Sequence, residues 1–131
     1  MKSLSRETQL KLNELSEKVI GLSFKVHNRL GRGFVEKVYE NALTHELAKE
    51  SLHVKQQMPI IVRYDSIIIG EFFADIVIEN VIVLEIKAVS EISKVHEAQC
   101  FNYLRASDLR LGLVLNFGAS SVQVRRIVNQ F

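Results

Sequence analysis

The stretch Phe72-Phe73-Ala74-Asp75-Ile76-Val77-Ile78, then Glu79-Asn80, then Val81-Ile82-Val83-Leu84-Glu85-Ile86-Lys87 decides how this chain folds. Ile76–Ile78 and Val81–Leu84 are apolar without alternation, which marks strands buried on both faces and so helices on both sides of a sheet. Three charges interrupt them. Burying a charge costs several kcal/mol unless it is paired or binds a metal, so Asp75, Glu85 and Lys87 need a reason to be there. Glu85 and Lys87, two apart, project from one strand face. Asp75 lies on the preceding strand, and the hairpin register decides whether it joins them. A two-residue Glu79-Asn80 loop would set Asp75 opposite Leu84, facing away. A three-residue connection, or a bulge near Asn80, would set it opposite Glu85.

Two readings of the trio stand side by side. One is a buried Asp–Lys or Glu–Lys ion pair that holds the sheet. The other is a divalent-metal site: two carboxylates on neighbouring strands supply hard oxygen ligands suited to Mg²⁺, with a lysine beside them to stabilise charge on a transferring phosphate.

Outward from this hairpin, the chain reads as a single domain over residues 1–131. Leu12, Leu15, Val19, Leu22 and Val26 form the seam of a first helix, with Ser5 and Thr8 for its start and Gly31 for its stop. We read the seam as an internal packing face, with homodimerisation through it as the alternative. A second helix covers about 34–50 and places Glu36, Tyr39, Glu40, Leu43 and Leu47 on one face. No GxxxxGK[ST] follows Gly31-Arg32-Gly33 and no strand precedes it, so these glycines are helix punctuation rather than a phosphate loop. Strands are expected at 54–64, where Pro59 marks an edge or irregular position, at 67–78 and at 81–89. A third helix over about 91–107 carries Ile92, Val95, His96, Gln99 and Tyr103 on one stripe, with Gln99 aimed at the sheet. Strands at 111–117 and 122–128 close an α-α-β-β-β-α-β-β order, an α/β sandwich.

Composition excludes other classes. The 131 residues are 47% hydrophobic and 24% charged, with one proline and a net charge of +2, which rules out disordered and collagenous chains. Cys100 alone cannot form an internal disulfide, the four histidines lack metal-ligand spacing, and no apolar run suits a signal sequence or a membrane span. A cytoplasmic setting is the expectation. The +2 is uneven: Arg105, Arg110, Arg125 and Arg126 against Asp108 make the C-terminal part +3, leaving −1 elsewhere. A basic end beside an acidic pocket suits a phosphate backbone.

These residues resemble a known family. Asp75 with Glu85-Ile86-Lys87 is similar to the D…(D/E)xK signature of the PD-(D/E)XK nuclease superfamily, with Ala74 standing where the name places proline. Gly33-Phe34-Val35-Glu36-Lys37-Val38-Tyr39 resembles the motif of its GxxExxY branch. His96-Glu97-Ala98-Gln99-Cys100-Phe101-Asn102-Tyr103-Leu104, Gly112–Gly118 and Arg125–Val128 resemble later segments of that branch. The resemblance implies a restriction-endonuclease-like α-β-β-β-α-β core, here with an extra N-terminal helix and a C-terminal strand, its mixed sheet flanked by helices. It implies a nuclease that uses Mg²⁺ or Mn²⁺ and acts on nucleic acid, DNA foremost, with a non-catalytic binding or regulatory module as the alternative. Asp75, Glu85 and the Ile86 carbonyl would hold the metal. Lys87 would orient water or stabilise the phosphate, Glu36 would complete or support the metal site, and Gln99 would position water. Tyr39 and His96 would support the site or face substrate, Glu40 would lie at the surface or behind the site, and the arginines 105, 110, 125 and 126 would meet the backbone. With little beyond the core, specificity would come from loops, oligomerisation or a protein partner.

Overall fold

The computed structural model describes residues 2–131. Its elements are α1 (Arg6–Leu30), α2 (Glu36–Lys49), β1 (Val54–Tyr64), β2 (Ile67–Ile78), β3 (Ile82–Lys87), α3 (Lys94–Ser107), β4 (Leu111–Asn116) and β5 (Gln123–Val128). The sheet runs in chain order β1-β2-β3-β4-β5. All neighbours are antiparallel except β3 and β4, which are parallel and need α3 as their crossover. This is the mixed α/β sheet expected, with β1 at an edge as Pro59 suggested.

Local chemistry sets the helix ends. The Ser5 hydroxyl accepts the Thr8 N–H at 3.2 Å, and the Gly31 N–H closes α1 on the His27 carbonyl at 2.8 Å. α3 starts at Lys94, three residues later than the stripe suggested, because Ser93 and His96 form a reciprocal capping box. The α1 seam is spent inside the molecule: Leu12, Val19 and Val26 pack with Leu43 and Leu47 of α2 on Ile76, Ile78, Ile82, Leu84 and Ile86. Lys25 of α1 reaches Glu46 of α2 at 3.0 Å across this layer. On the other face Val77 and Val83 pack under Tyr103 and Leu104 of α3. Helices therefore cover both faces of the central strands.

The β2–β3 hairpin has the three-residue connection. Ile78 pairs with Ile82, Val77 with Val83 and Ile76 with Leu84. Glu79 and Asn80 take left-handed φ of 52° and 55°, and the Val81 N–H bonds the Ile78 carbonyl at 2.9 Å. This register carries Asp75 to the level of Glu85. The outer part of β2 is a correction to the buried-strand reading. Ile67, Ile68, Ile69, Phe72 and Phe73 are exposed, because beyond Ile76 the strand has left β3 and pairs with β1 alone in a projecting two-stranded ribbon.

Candidate active site

Where β2 parts from β3, the ladder ends and a side chain replaces it. An Asp75 carboxylate oxygen accepts the Ile86 N–H at 2.8 Å, and its other oxygen accepts from the Gln57 amide at 3.3 Å. Gln57 can reach because it leaves the β1 ladder opposite Asp75 with a φ of 54°. Glu85, next along β3, is 4% exposed, and among the described residues its buried Oε1 has no hydrogen-bond partner. Burial first, then the like charge of Asp75, push its carboxyl up to about 9, against the opposing pull of Lys87. Lys87, half-buried two residues on, makes no ion pair among the described residues. The simple Asp–Lys or Glu–Lys ion pair is therefore not what occupies this end of the sheet.

The surroundings reorder the candidates. Glu36, the first residue of α2, is exposed and shares a shallow hollow with Ala88. Glu40, one turn deeper, is 3% exposed and accepts from Gln56 at 2.7 Å and Gln57 at 3.1 Å. Gln57 thus joins Glu40, and not Glu36, to Asp75. Helix position is the reason, since a first-turn residue stays at the rim whereas Glu40 lies on the inward stripe with Leu43 and Leu47. Tyr39 supports a loop, not the carboxylates: its hydroxyl donates to the Gly31 carbonyl at 2.6 Å, and its ring stacks on Phe117 at 4.8 Å. His96 is tied into the α3 capping box through Nδ1, which accepts the Ser93 N–H at 3.1 Å.

Gln99 bonds Tyr103 rather than the β3 strand, its amide donating to the phenol oxygen at 3.1 Å. Tyr103 packs with Ala74, Val77 and Val83, and burial and then the Glu85 and Asp75 carboxylates hold its phenol above the usual range. Cys100 is core, its thiol pushed up to about 12 by burial. The four arginines do not form one basic face. Arg125 and Arg126 pair with Val114 and Leu113 and so project from opposite sides of β5. Arg126 bonds Asn13 at 2.9 Å, and Arg110 is held by the Gln130 carbonyl at 2.9 Å. Asn116, which the sequence did not single out, bonds both the N–H and the carbonyl of Val89 at 2.9 Å. It thereby pins the chain that leaves Lys87. Gly118 lies so close to Val89 that an added Cβ would stand 2.3 Å from its carbonyl oxygen.

The sequence matches the PD-(D/E)XK nuclease superfamily over residues 13–127, a span that contains every residue of this cluster. The chain belongs to the PD-(D/E)XK nuclease superfamily. No curated protein matches it. The crystal structure of SSO0001 has the same fold over 72% of this chain, with a TM-score of 0.56 at 16% identity; that match takes in half the length of SSO0001. PD-(D/E)XK nucleases generally use divalent metals. The donors here fit such an ion chemically, because Glu85 Oε1 is a buried oxygen without a hydrogen-bond partner among the described residues and Asp75 stands beside it. Among the described residues no three His, Cys, Asp or Glu side chains group as a metal cage. Two carboxylates suit Mg²⁺, which keeps several waters, better than a metal enclosed by protein ligands. Among the described residues no helix is long and apolar enough to cross a membrane.

Proposed function

We propose that this chain, as a member of the GxxExxY branch, is a divalent-metal-dependent nuclease that hydrolyses phosphodiester bonds of nucleic acid, DNA foremost. The observation that carries the reading is the unpartnered Glu85 oxygen, buried between Asp75 and the Lys87 end of β3. A protein gains nothing in stability from such an atom, whereas a cation site needs it. Asp75, Glu85 and the Ile86 carbonyl are the residues that would hold Mg²⁺ or Mn²⁺. Once bound, the ion would neutralise phosphate charge and ease deprotonation of water.

The chain's own groups do the rest. The Ile86 N–H and Gln57 fix the Asp75 carboxylate, and Glu40 fixes Gln57 from behind. Lys87 shares its strand face with Glu85 and puts a positive charge where the phosphorane develops. Motif similarity at Gly33, Glu36 and Tyr39 supports the branch assignment.

A cleavage assay titrated with Mg²⁺ and Mn²⁺ tests the reading on wild type, Asp75→Ala and Lys87→Ala. Loss of activity in both variants supports it. Equal residual activity in all three removes it, and salt-dependent binding without turnover in either metal makes the chain a binding module on the nuclease scaffold.

A further inference from the structure

Between α3 and the β1–β2 ribbon runs a groove of about 860 Å³, lined by Arg63 and Phe72 from the ribbon and by Gln99, Asn102, Tyr103 and Arg105 from the helix. We infer that this groove binds a single unpaired strand of nucleic acid, gripping phosphates on its two walls and stacking bases on its floor. The inference rests on the proposed nuclease activity for the fate of the strand, but not for its binding.

Charge is the first argument. Among the described residues no acidic side chain lines the groove. Arg63 and Arg105 stand on facing walls, and neither is engaged in an ion pair or hydrogen bond among the described residues. Arg110 and Arg126, by contrast, are bonded to other parts of the chain. Two uncommitted guanidiniums across an acid-free groove suit successive phosphates of one backbone.

The floor argues for a strand with its bases free. Phe72 and Tyr103 lie 5.8 Å apart with rings tilted 37°, and Phe72 is 45% exposed, so its ring offers a stacking surface to the groove. Such a surface has no use for a duplex, whose bases are already stacked, and rewards a base that has been splayed out. The Gln99 and Asn102 amides on the same wall have both donors and acceptors for exposed base edges. Tyr103 lines the groove and packs with Ala74, next to Asp75 on β2, and with Val83, two residues before Glu85 on β3. A strand lying in the groove is thereby led to the carboxylates.

Fluorescence anisotropy of the full chain in EDTA reads binding without cleavage, using a labelled oligodeoxythymidylate and the same oligonucleotide annealed to its complement. The single strand should bind at least about tenfold tighter than the duplex. Arg63→Glu with Arg105→Glu should abolish that preference and lower the salt slope by about two. Phe72→Ala should weaken binding roughly tenfold, with Phe72→Tyr restoring it. Lys11→Glu, on α1 across the sheet from the groove, should leave affinity unchanged. Equal affinity for the duplex, or full single-strand affinity in the arginine double variant, overturns the inference. The two readings fail separately. Cleavage that needs Asp75 but ignores the groove variants leaves the nuclease without this groove. Single-strand binding that needs the groove, with no cleavage in any metal, leaves the groove without the nuclease.

Discussion

The two halves of β2 use the same residue types and meet opposite fates. Ile76–Ile78 are fully buried between α1–α2 and α3, whereas Ile67 is 65% and Ile69 is 61% exposed on the projecting ribbon. Hydrophobicity does not separate them; neighbours do. The inner half has β3 on one side and β1 on the other, and the outer half has β1 alone. Asp75 stands at the division. There the strand pulls away from β3, the Ile86 N–H loses its ladder partner, and a carboxylate takes the bond. The candidate active site is thus a by-product of a sheet that splits, and the ribbon that splits from it becomes one wall of the groove.

The sharpest way to test this division is at the boundary residue. Asp75→Asn should lower metal-dependent cleavage by about a thousandfold or more, on the order of 4 kcal/mol of transition-state stabilisation, with the fold retained by circular dichroism. Next come paired truncations on either side. Ile76→Ala should cost about 2–5 kcal/mol in urea unfolding, as a fully buried isoleucine does. Glu85 gives an effect on the order of a few kcal/mol that depends on pH. Its folded pKa is raised, so it costs the fold nothing below the ordinary value of 4.5 and destabilises it progressively as pH rises from there to about 9. Glu85→Gln should flatten that decline and leave the variant the more stable protein at pH 8. For the same reason Mg²⁺ binding should release a proton near neutrality, measurable by calorimetry in buffers of different ionisation heat. The smallest effect belongs to the ribbon: Ile68→Ala should change stability by no more than about 0.5 kcal/mol. A ribbon truncation as costly as Ile76→Ala would mean that the outer half has a core of its own.

Much of this was legible before the structure. Unbroken apolar runs at Ile76–Ile78 and Val81–Leu84 required helices on both faces, and the charges within them marked the candidate site. The register was legible only as a condition, because Glu79-Asn80 reads equally well as a two-residue loop. Left-handed backbone at both residues, with Val81 in the turn, decides it. Glu36 and Glu40 share a helix stripe, and periodicity alone says nothing about how deep along the axis the sheet lies. Exposure of Ile67–Ile69 was hidden for a related reason: an apolar run shows that a strand could be buried, not whether a neighbouring strand extends far enough to bury it. Arg125 and Arg126 are adjacent in sequence yet share no face, because β5 sends adjacent side chains to opposite sides.

The three-residue connection between Ile78 and Ile82 makes the chain's tolerance of insertions lopsided. At the ribbon tip, Asp65-Ser66, extra residues would only lengthen an exposed loop. At Glu79–Val81, one residue more or fewer would turn Glu85 and Lys87 away from Asp75 and drive Leu84 and Ile86 out of their core. Functional relatives should therefore vary in length at the first turn and keep the second at three residues, so that this short segment acts as the gauge by which the two acidic strands are matched.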